Sequence, residues 1–177
     1  LKLHDIPNTV AGGIRAVVEL EPTFITLHTQ GGPAMMKAAA ETAAVEAKRL
    51  GVVRPRLLGV TVLTSLDKSD LEATGVAAAP TEQAVRLALL AQQSGLDGVI
   101  CSPLEIEALR KACGKDFVLM VPGIRPAGSA TGDQKRVMTP RQAVTLGANH
   151  LVIGRPITEA ADPEAAAQAI ARELDAV

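Results

Sequence analysis

Aromatic side chains are nearly missing from this chain, which has two Phe and neither Trp nor Tyr. The stacking platforms that single-stranded nucleic acids need are therefore absent, and a ring-shaped ligand would have to be held by hydrogen bonds and aliphatic contacts. An excess of one charge is missing too. Lys plus Arg number 18 against 19 Asp plus Glu, for a net charge of -1, so no long-range field draws in nucleic acid or an anionic membrane. Any anion must be met by a local site. Cysteine is scarce, and Cys101 and Cys113 have neither CxxC nor metal-finger spacing, which leaves reduced, buried thiols as the expectation. No apolar run reaches the roughly 20 residues of a membrane span. The opening LKLHDIPNTV lacks the basic and apolar regions of a signal peptide, so a cytoplasmic location is expected. The first residue is not Met and the chain opens inside a motif, which suggests a fragment of a longer protein.

What is present is apolar and alternating. Of the 177 residues, 47% are hydrophobic, enough for the core of one domain over 1–177. Short apolar runs predict strands at Phe24 to His28, Leu57 to Leu63, Gly98 to Cys101, Phe117 to Val121 and His150 to Ile153. Between them, alanine-rich segments of helical period predict helices at Pro33 to Leu50, Thr81 to Ser94, Pro103 to Cys113 and Pro140 to Leu146. Gly51, Gly95, Gly114 and Gly147 mark their ends. Asp162 and Pro163 read as the N-cap and first position of a last helix, and Met35 and Met36 as core filler.

Strands alternating with helices imply a parallel sheet covered on both faces, either a barrel or a doubly wound sheet. No GxGxxG or GxxxxGK[ST] follows a strand, so the usual signals of open nucleotide-binding sheets are missing. Polar and glycine residues gather just after the strands instead: His28 with Gly31 and Gly32, Thr61 to Asp67, Pro122 to Arg125, and Gly154 with Arg155. In an (β/α)8 TIM barrel that is the face where chemistry sits, and the barrel is the expected fold. The Pro122 to Thr139 connection is far longer than the usual βα loop of about 2 to 6 residues and reads as a lid. With Gly154-Arg155-Pro156 it occupies the place where barrels bind phosphate. A phosphorylated small molecule is the expected ligand.

The opening residues put a cation, an imidazole and a carboxylate within four positions: Lys2, His4 and Asp5. At a strand end Lys2 and His4 would share one side of the pleat. The spacing leaves two readings open, a functional lysine held charged by carboxylates or a solvated lysine beside a helix-capping Asp5. His4 with His28 could form a metal pair, but no further ligands stand at metal spacing, and no metal is expected. His150 reads as structural. Ser65 lacks a nucleophile elbow and reads as a hydrogen-bonding or capping residue. Lys135 and Arg136 read as a solvated charge pair, and Arg125 as either a ligand contact or a salt-bridged brace for the lid.

The same opening, Lys2-Leu3-His4-Asp5-Ile6-Pro7-Asn8-Thr9, resembles the DxKxxDIPNT signature of orotidine 5′-monophosphate decarboxylases, lacking only its leading Asp. LHTQGGPAMM, VTVLTSLD, LDGVICS, VPGIRPAGSATGDQKRVMTP and HLVIGRPITEAADP follow in that family's order. The resemblance implies an incomplete (β/α)8 barrel, running from the end of strand 3 through strand and helix 8 and lacking the N-terminal strands. It implies cofactor-free conversion of orotidine 5′-monophosphate (OMP) to UMP in de novo pyrimidine biosynthesis. Lys2 matches the lysine that protonates C6, and Asp5 the carboxylate given to the neighbouring subunit's site of a homodimer. Leu1 to Thr9 match the substrate-binding stretch and Thr64 a pyrimidine contact. Arg125, Gln134, Gly154 and Arg155 match further substrate-binding positions, the last three serving mainly the phosphate. Two alternatives stand beside it. One is a magnesium-dependent sugar-phosphate decarboxylase or aldolase of the same superfamily, against which DIPNT and VTVLTS argue. The other is an inert partial barrel that at best binds phosphate, since the leading Asp, a ribose-binding Asp and a second lysine of the family fall before Leu1.

Overall fold

The computed structural model describes residues 1–126 and 136–175. Six parallel strands form one sheet: β1 (Lys2–Leu3), β2 (Phe24–His28), β3 (Arg56–Val60), β4 (Gly98–Ile100), β5 (Val118–Val121) and β6 (His150–Leu151), in spatial order β1-β2-β3-β4-β5-β6. Helices join them: α1 (Pro7–Val18), α2 (Gly32–Leu50), α3 (Lys68–Ala73), α4 (Pro80–Gln93), α5 (Ile106–Cys113), α6 (Pro140–Thr145), α7 (Arg155–Thr158) and α8 (Pro163–Leu174). Sequential order with every pair parallel is the topology of repeated βα units.

The alternation follows from what each segment buries. Along α2, Met35, Met36, Ala39, Ala43 and Ala47 form a stripe at helical spacing, almost fully buried against the sheet and α1, and their small size permits close approach. Ile25 and Leu27 of β2, Leu57 of β3, Val99 of β4 and Leu119 and Val121 of β5 complete this core. β3 passes so near the turns before α2 and after α4 that a Cβ on Gly59 would lie 2.5 Å from Thr29 Cγ2 and 3.1 Å from Leu96 Cδ2. A second, smaller cluster of Val62, Leu71, Ala84 and Leu87 seats α3 beneath the loop that follows β3.

Several boundaries differ from the sequence reading, each for a local reason. β3 stops at Val60 rather than Leu63, because the carbonyls of Val62 and Leu63 accept bonds from the Arg136 guanidinium instead of a neighbouring strand. The helix expected from Pro103 begins as a 3₁₀ turn, Pro103–Glu105, closed by a capping box in which Ser102 and Glu105 bond each other's backbone N–H groups. Pro7 opens α1, where no helix was expected, at its first position. The cap of that helix is Ile6, without a side-chain bond, while Asp5 Oδ1 accepts from Ile6 N at 2.7 Å. The helix-capping reading of Asp5 therefore falls. Asp67 rather than Ser65 caps α3. The reading of Asp162 and Pro163 holds, with Asp162 accepting from Ala165 N at 2.9 Å.

Two contacts show that the sheet is curved. Lys2 of β1 and Val152, just past β6, line one cleft although four strands separate β1 from β6. Near the opposite strand ends the rings of Phe24 on β2 and His150 on β6 meet edge to face with centroids 5.0 Å apart. A flat sheet would hold strands four places apart nearly 20 Å from each other. The arc is therefore that of a barrel, and His150 takes the structural place expected of it.

Candidate active site

Alternation along β1 decides where Lys2 faces. Leu3 packs outward, its Cδ2 3.3 Å from where a Cβ on Gly13 of α1 would stand, so Lys2 points the other way, into the arc. There it lines a cleft of about 250 Å³ with Val60, Val62, Leu63, Thr64, Ile100 and Val152. These residues come from the carboxyl ends of the strands or the loops beyond them. The walls are mostly aliphatic, as the scarcity of aromatic rings requires.

His4 lies one pleat further and stacks on His28 at the end of β2, with ring centroids 5.1 Å apart. Burial and the neighbouring His4 and Lys2 hold His28 below its ordinary pKa of 6.5, so it is neutral at neutral pH. Among the described residues no group of three or more His, Cys, Asp or Glu side chains is placed to hold a metal ion. No carboxylate among them lies within ion-pairing distance of Lys2. Asp5 is exposed at the surface, beside Ile6 at 66% exposure.

The other predicted residues are spread along the strand ends. Leu1 is exposed and its carbonyl accepts a bond from Thr26 Oγ1 on β2. Asn8 and Thr9 are exposed in the first turn of α1, following Pro7. Thr64 is half-buried on the cleft wall. Arg125 is buried and donates to the Ile124 carbonyl at 2.9 Å. Gly154 and Arg155 are exposed at the start of α7, where the Gly154 carbonyl accepts from Ile157 N at 2.8 Å and Thr158 N at 3.0 Å. Space around Gly154 is open, since a Cβ there would meet nothing within 4 Å. Gln134 and Lys135 lie outside the described residues.

One reading is overturned. Arg136 is not a solvated charge: it is 8% exposed, pairs with the fully buried Glu105 and donates to Val62 O at 3.2 Å and Leu63 O at 2.9 Å. Burial pushes the Glu105 carboxyl up, while Arg136 and the Ser102 N–H pull it back. Glu105 had a signal in the sequence, because Ser102-Pro103-Leu104-Glu105 has capping-box spacing. Arg136 had none, since its partners lie 31 and more than 70 residues away. Cys101 at the end of β4 also lines the cleft, and burial raises its pKa so that it stays a thiol.

Comparison with known proteins places these features. The family model described as "Orotidine 5'-phosphate decarboxylase / HUMPS family" matches residues 1–170. The orotidine 5'-phosphate decarboxylase of Moorella thermoacetica is 54% identical over all of this chain and 71% of its own length. That of Paramagnetospirillum magneticum is 55% identical over 98% of this chain and 74% of its own. Among solved structures, the orotidine 5'-phosphate decarboxylase of Lactobacillus acidophilus superposes with a TM-score of 0.84 at 43% identity, covering 99% of this chain and 73% of that one.

Proposed function

The chain belongs to the orotidine 5′-phosphate decarboxylase / HUMPS family, and on that premise we propose how its residues convert OMP to UMP and carbon dioxide in pyrimidine biosynthesis. Relatives more than half identical and named as this decarboxylase support that branch of the family. The fold is a partial (β/α)8 barrel in which β1 is the end of strand 3 and β6 is strand 8. Residues 1–177 act as one domain of it.

Breaking the C6–carboxylate bond releases carbon dioxide and leaves the electron pair on C6. With no cofactor to take up that charge, a fixed ammonium must stabilise it and then deliver a proton to the same carbon. Lys2 is that group, and the amine it becomes recovers its proton from solvent. The observation that carries the assignment is the position of Lys2, facing into an aliphatic cleft at the strand ends with Thr64 on the same wall. Low polarity there strengthens the attraction between ammonium and carbanion.

Thr64 binds the pyrimidine. Leu1 to Thr9 and Arg125 complete the substrate contacts. Gln134, Gly154 and Arg155 hold the phosphate, whose binding energy positions and desolvates the reacting ring. Asp5 serves the partner's site in a homodimer. Its outward position and the exposed Ile6 beside it support that arrangement. The enzyme works in the cytoplasm.

The test is turnover of OMP by the full-length protein, followed at the pyrimidine absorbance, with and without a chelator. Wild type is expected to be active and indifferent to the chelator. Lys2→Ala should still bind UMP but lose at least about 100-fold in kcat, the usual contribution of a placed general acid. A fully active Lys2→Ala protein would refute the mechanism, and loss of wild-type activity with the chelator would favour a metal-dependent relative.

A further inference from the structure

Arg136 lines no part of the cleft, yet three loops that do line it meet on this one residue. The loop after β3 supplies Val62, Leu63, Thr64 and Ser65 to the cleft, the end of β4 supplies Cys101, and the loop after β5 supplies Pro122. The guanidinium spans the first two. One Nη donates to Glu105, whose second oxygen accepts from Ser102 N at 2.9 Å, directly after Cys101. The other Nη holds the carbonyls of Val62 and Leu63, the two residues before Thr64. The Arg136 backbone closes the third loop, to which it belongs, on that loop's own start: a Cβ on Gly123 would come within 2.8 Å of the Arg136 carbonyl and 3.5 Å of Thr64 Cγ2. Two residues on, Met138 accepts from Arg125 N at 2.9 Å and donates to Gly123 O at 3.4 Å.

A buried ion pair is a poor source of net stability. Desolvating both charges offsets most of their attraction, and an apolar pair of similar volume often does as well. What this pair supplies is direction. A planar fork with fixed donors can hold a carboxylate and two carbonyls at set angles, which neither an ammonium nor an apolar side chain reproduces. The carbonyls it holds belong to the segment that carries the ring-side wall.

We propose that Arg136, held by Glu105, is a positioning residue for the pyrimidine end of the substrate: it fixes the Val62–Leu63 backbone so that Thr64 stands at the height of the ring. The proposal rests on the reading of Thr64 as the pyrimidine contact. It makes a distinction that a merely structural role does not. Loosening the brace should weaken ligands that carry the base more than those that carry only ribose and phosphate: Gln134 shares the loop of Arg136, but Gly154 and Arg155 hold the phosphate from the loop after β6, which the guanidinium does not touch.

The experiment measures inhibition constants of UMP and of ribose 5-phosphate against OMP turnover by the full-length enzyme. Arg136→Lys keeps a charge on Glu105 but loses the fork. Glu105→Gln/Arg136→Met removes both charges together and so avoids stranding a buried ion if the single variant folds badly. In each, UMP should bind at least about 10-fold more weakly, as expected for hydrogen bonds to a charged group. Ribose 5-phosphate should weaken by clearly less than UMP, and kcat/KM for OMP should fall with UMP affinity. Arg136→Lys should recover part of what the double variant loses. Equal weakening of both ligands, or unchanged UMP binding in both variants, would overturn the brace. Thr64→Val separates the two readings. If it weakens UMP while the Arg136 variants do not, the brace alone fails; if it leaves UMP unchanged while they weaken it selectively, the brace stands and the Thr64 contact fails.

Discussion

At the scale of single residues, Lys2 faces the cleft, and His28, close enough to feel its charge, is kept from adding a second. His28 is held below its ordinary pKa of 6.5, first by burial and then by His4 and Lys2. A lowered pKa means that the folded state favours neutral His28. Its contribution to stability is therefore fully present above pH 6.5 and is lost as pH falls through the lower folded value. Denaturant midpoints measured from about pH 7.5 down to about pH 5 should accordingly fall in the wild type and fall less steeply in His28→Asn, which cannot take up the proton. Parallel slopes in the two proteins would mean that His28 does not feel its neighbours. Lys2 itself shows what a short motif can and cannot say. Its spacing from His4 and Asp5 left its direction open, and the pleat of β1 with the position of Leu3 against α1 turns it into the arc, where it lines the cleft while still exposed.

At the scale of elements, most strands and most long helices were legible because each carries its period within a few residues: the alternating burial of Phe24–His28 and the apolar stripe of Gly32–Leu50 need no distant partner to be read. The helix-ending glycines were legible for the same reason. What escaped was set by contacts across the chain. β3 ends early because Arg136, 73 residues from Leu63, takes that carbonyl, and no local pattern records such a bond. Short α3 and α7 escaped because so few residues show no period, and the 12-residue α1 escaped too, since its Gly12-Gly13 pair weakens the helical signal. The same cross-chain joint makes Gly123 irreplaceable on geometric grounds. Its φ is +79°, and a Cβ would lie 2.8 Å from the Arg136 carbonyl, which is backbone and yields little. Gly123→Ala should cost about 1–3 kcal/mol from left-handed strain alone, with the clash adding to it. Gly12 is the control: it lies inside α1 and a Cβ there meets nothing within 4 Å, so Gly12→Ala should leave the protein at least as stable as wild type. A Gly123→Ala protein as stable as Gly12→Ala would show that the joint is not rigid.

At the scale of the whole molecule, curvature puts residues from both outer strands of the described sheet into one cleft, while Asp5, four residues from the chain's start, stays outside it. If Asp5 completes the site of a second copy, each site draws its lysine from one subunit and that aspartate from the other. The arrangement has an arithmetic consequence. Full-length Lys2→Ala and Asp5→Ala proteins are each expected to be nearly inactive. In a mixed dimer both lesions fall in one site and the other is built from the intact Lys2 of one chain and the intact Asp5 of its partner. Random mixing gives half mixed dimers with one good site of two, so dissociating and reassociating equal amounts should restore about a quarter of wild-type activity. A site contained within one chain gives a different result, since every site in every mixed dimer would then carry a lesion and activity would stay at the level of the separate variants. Sedimentation of the mixture, run alongside, separates failure to exchange subunits from failure to complement. A shared site would also cover the apolar side chain left exposed at Ile6 beside Asp5, since the core of an interface is more apolar than its rim.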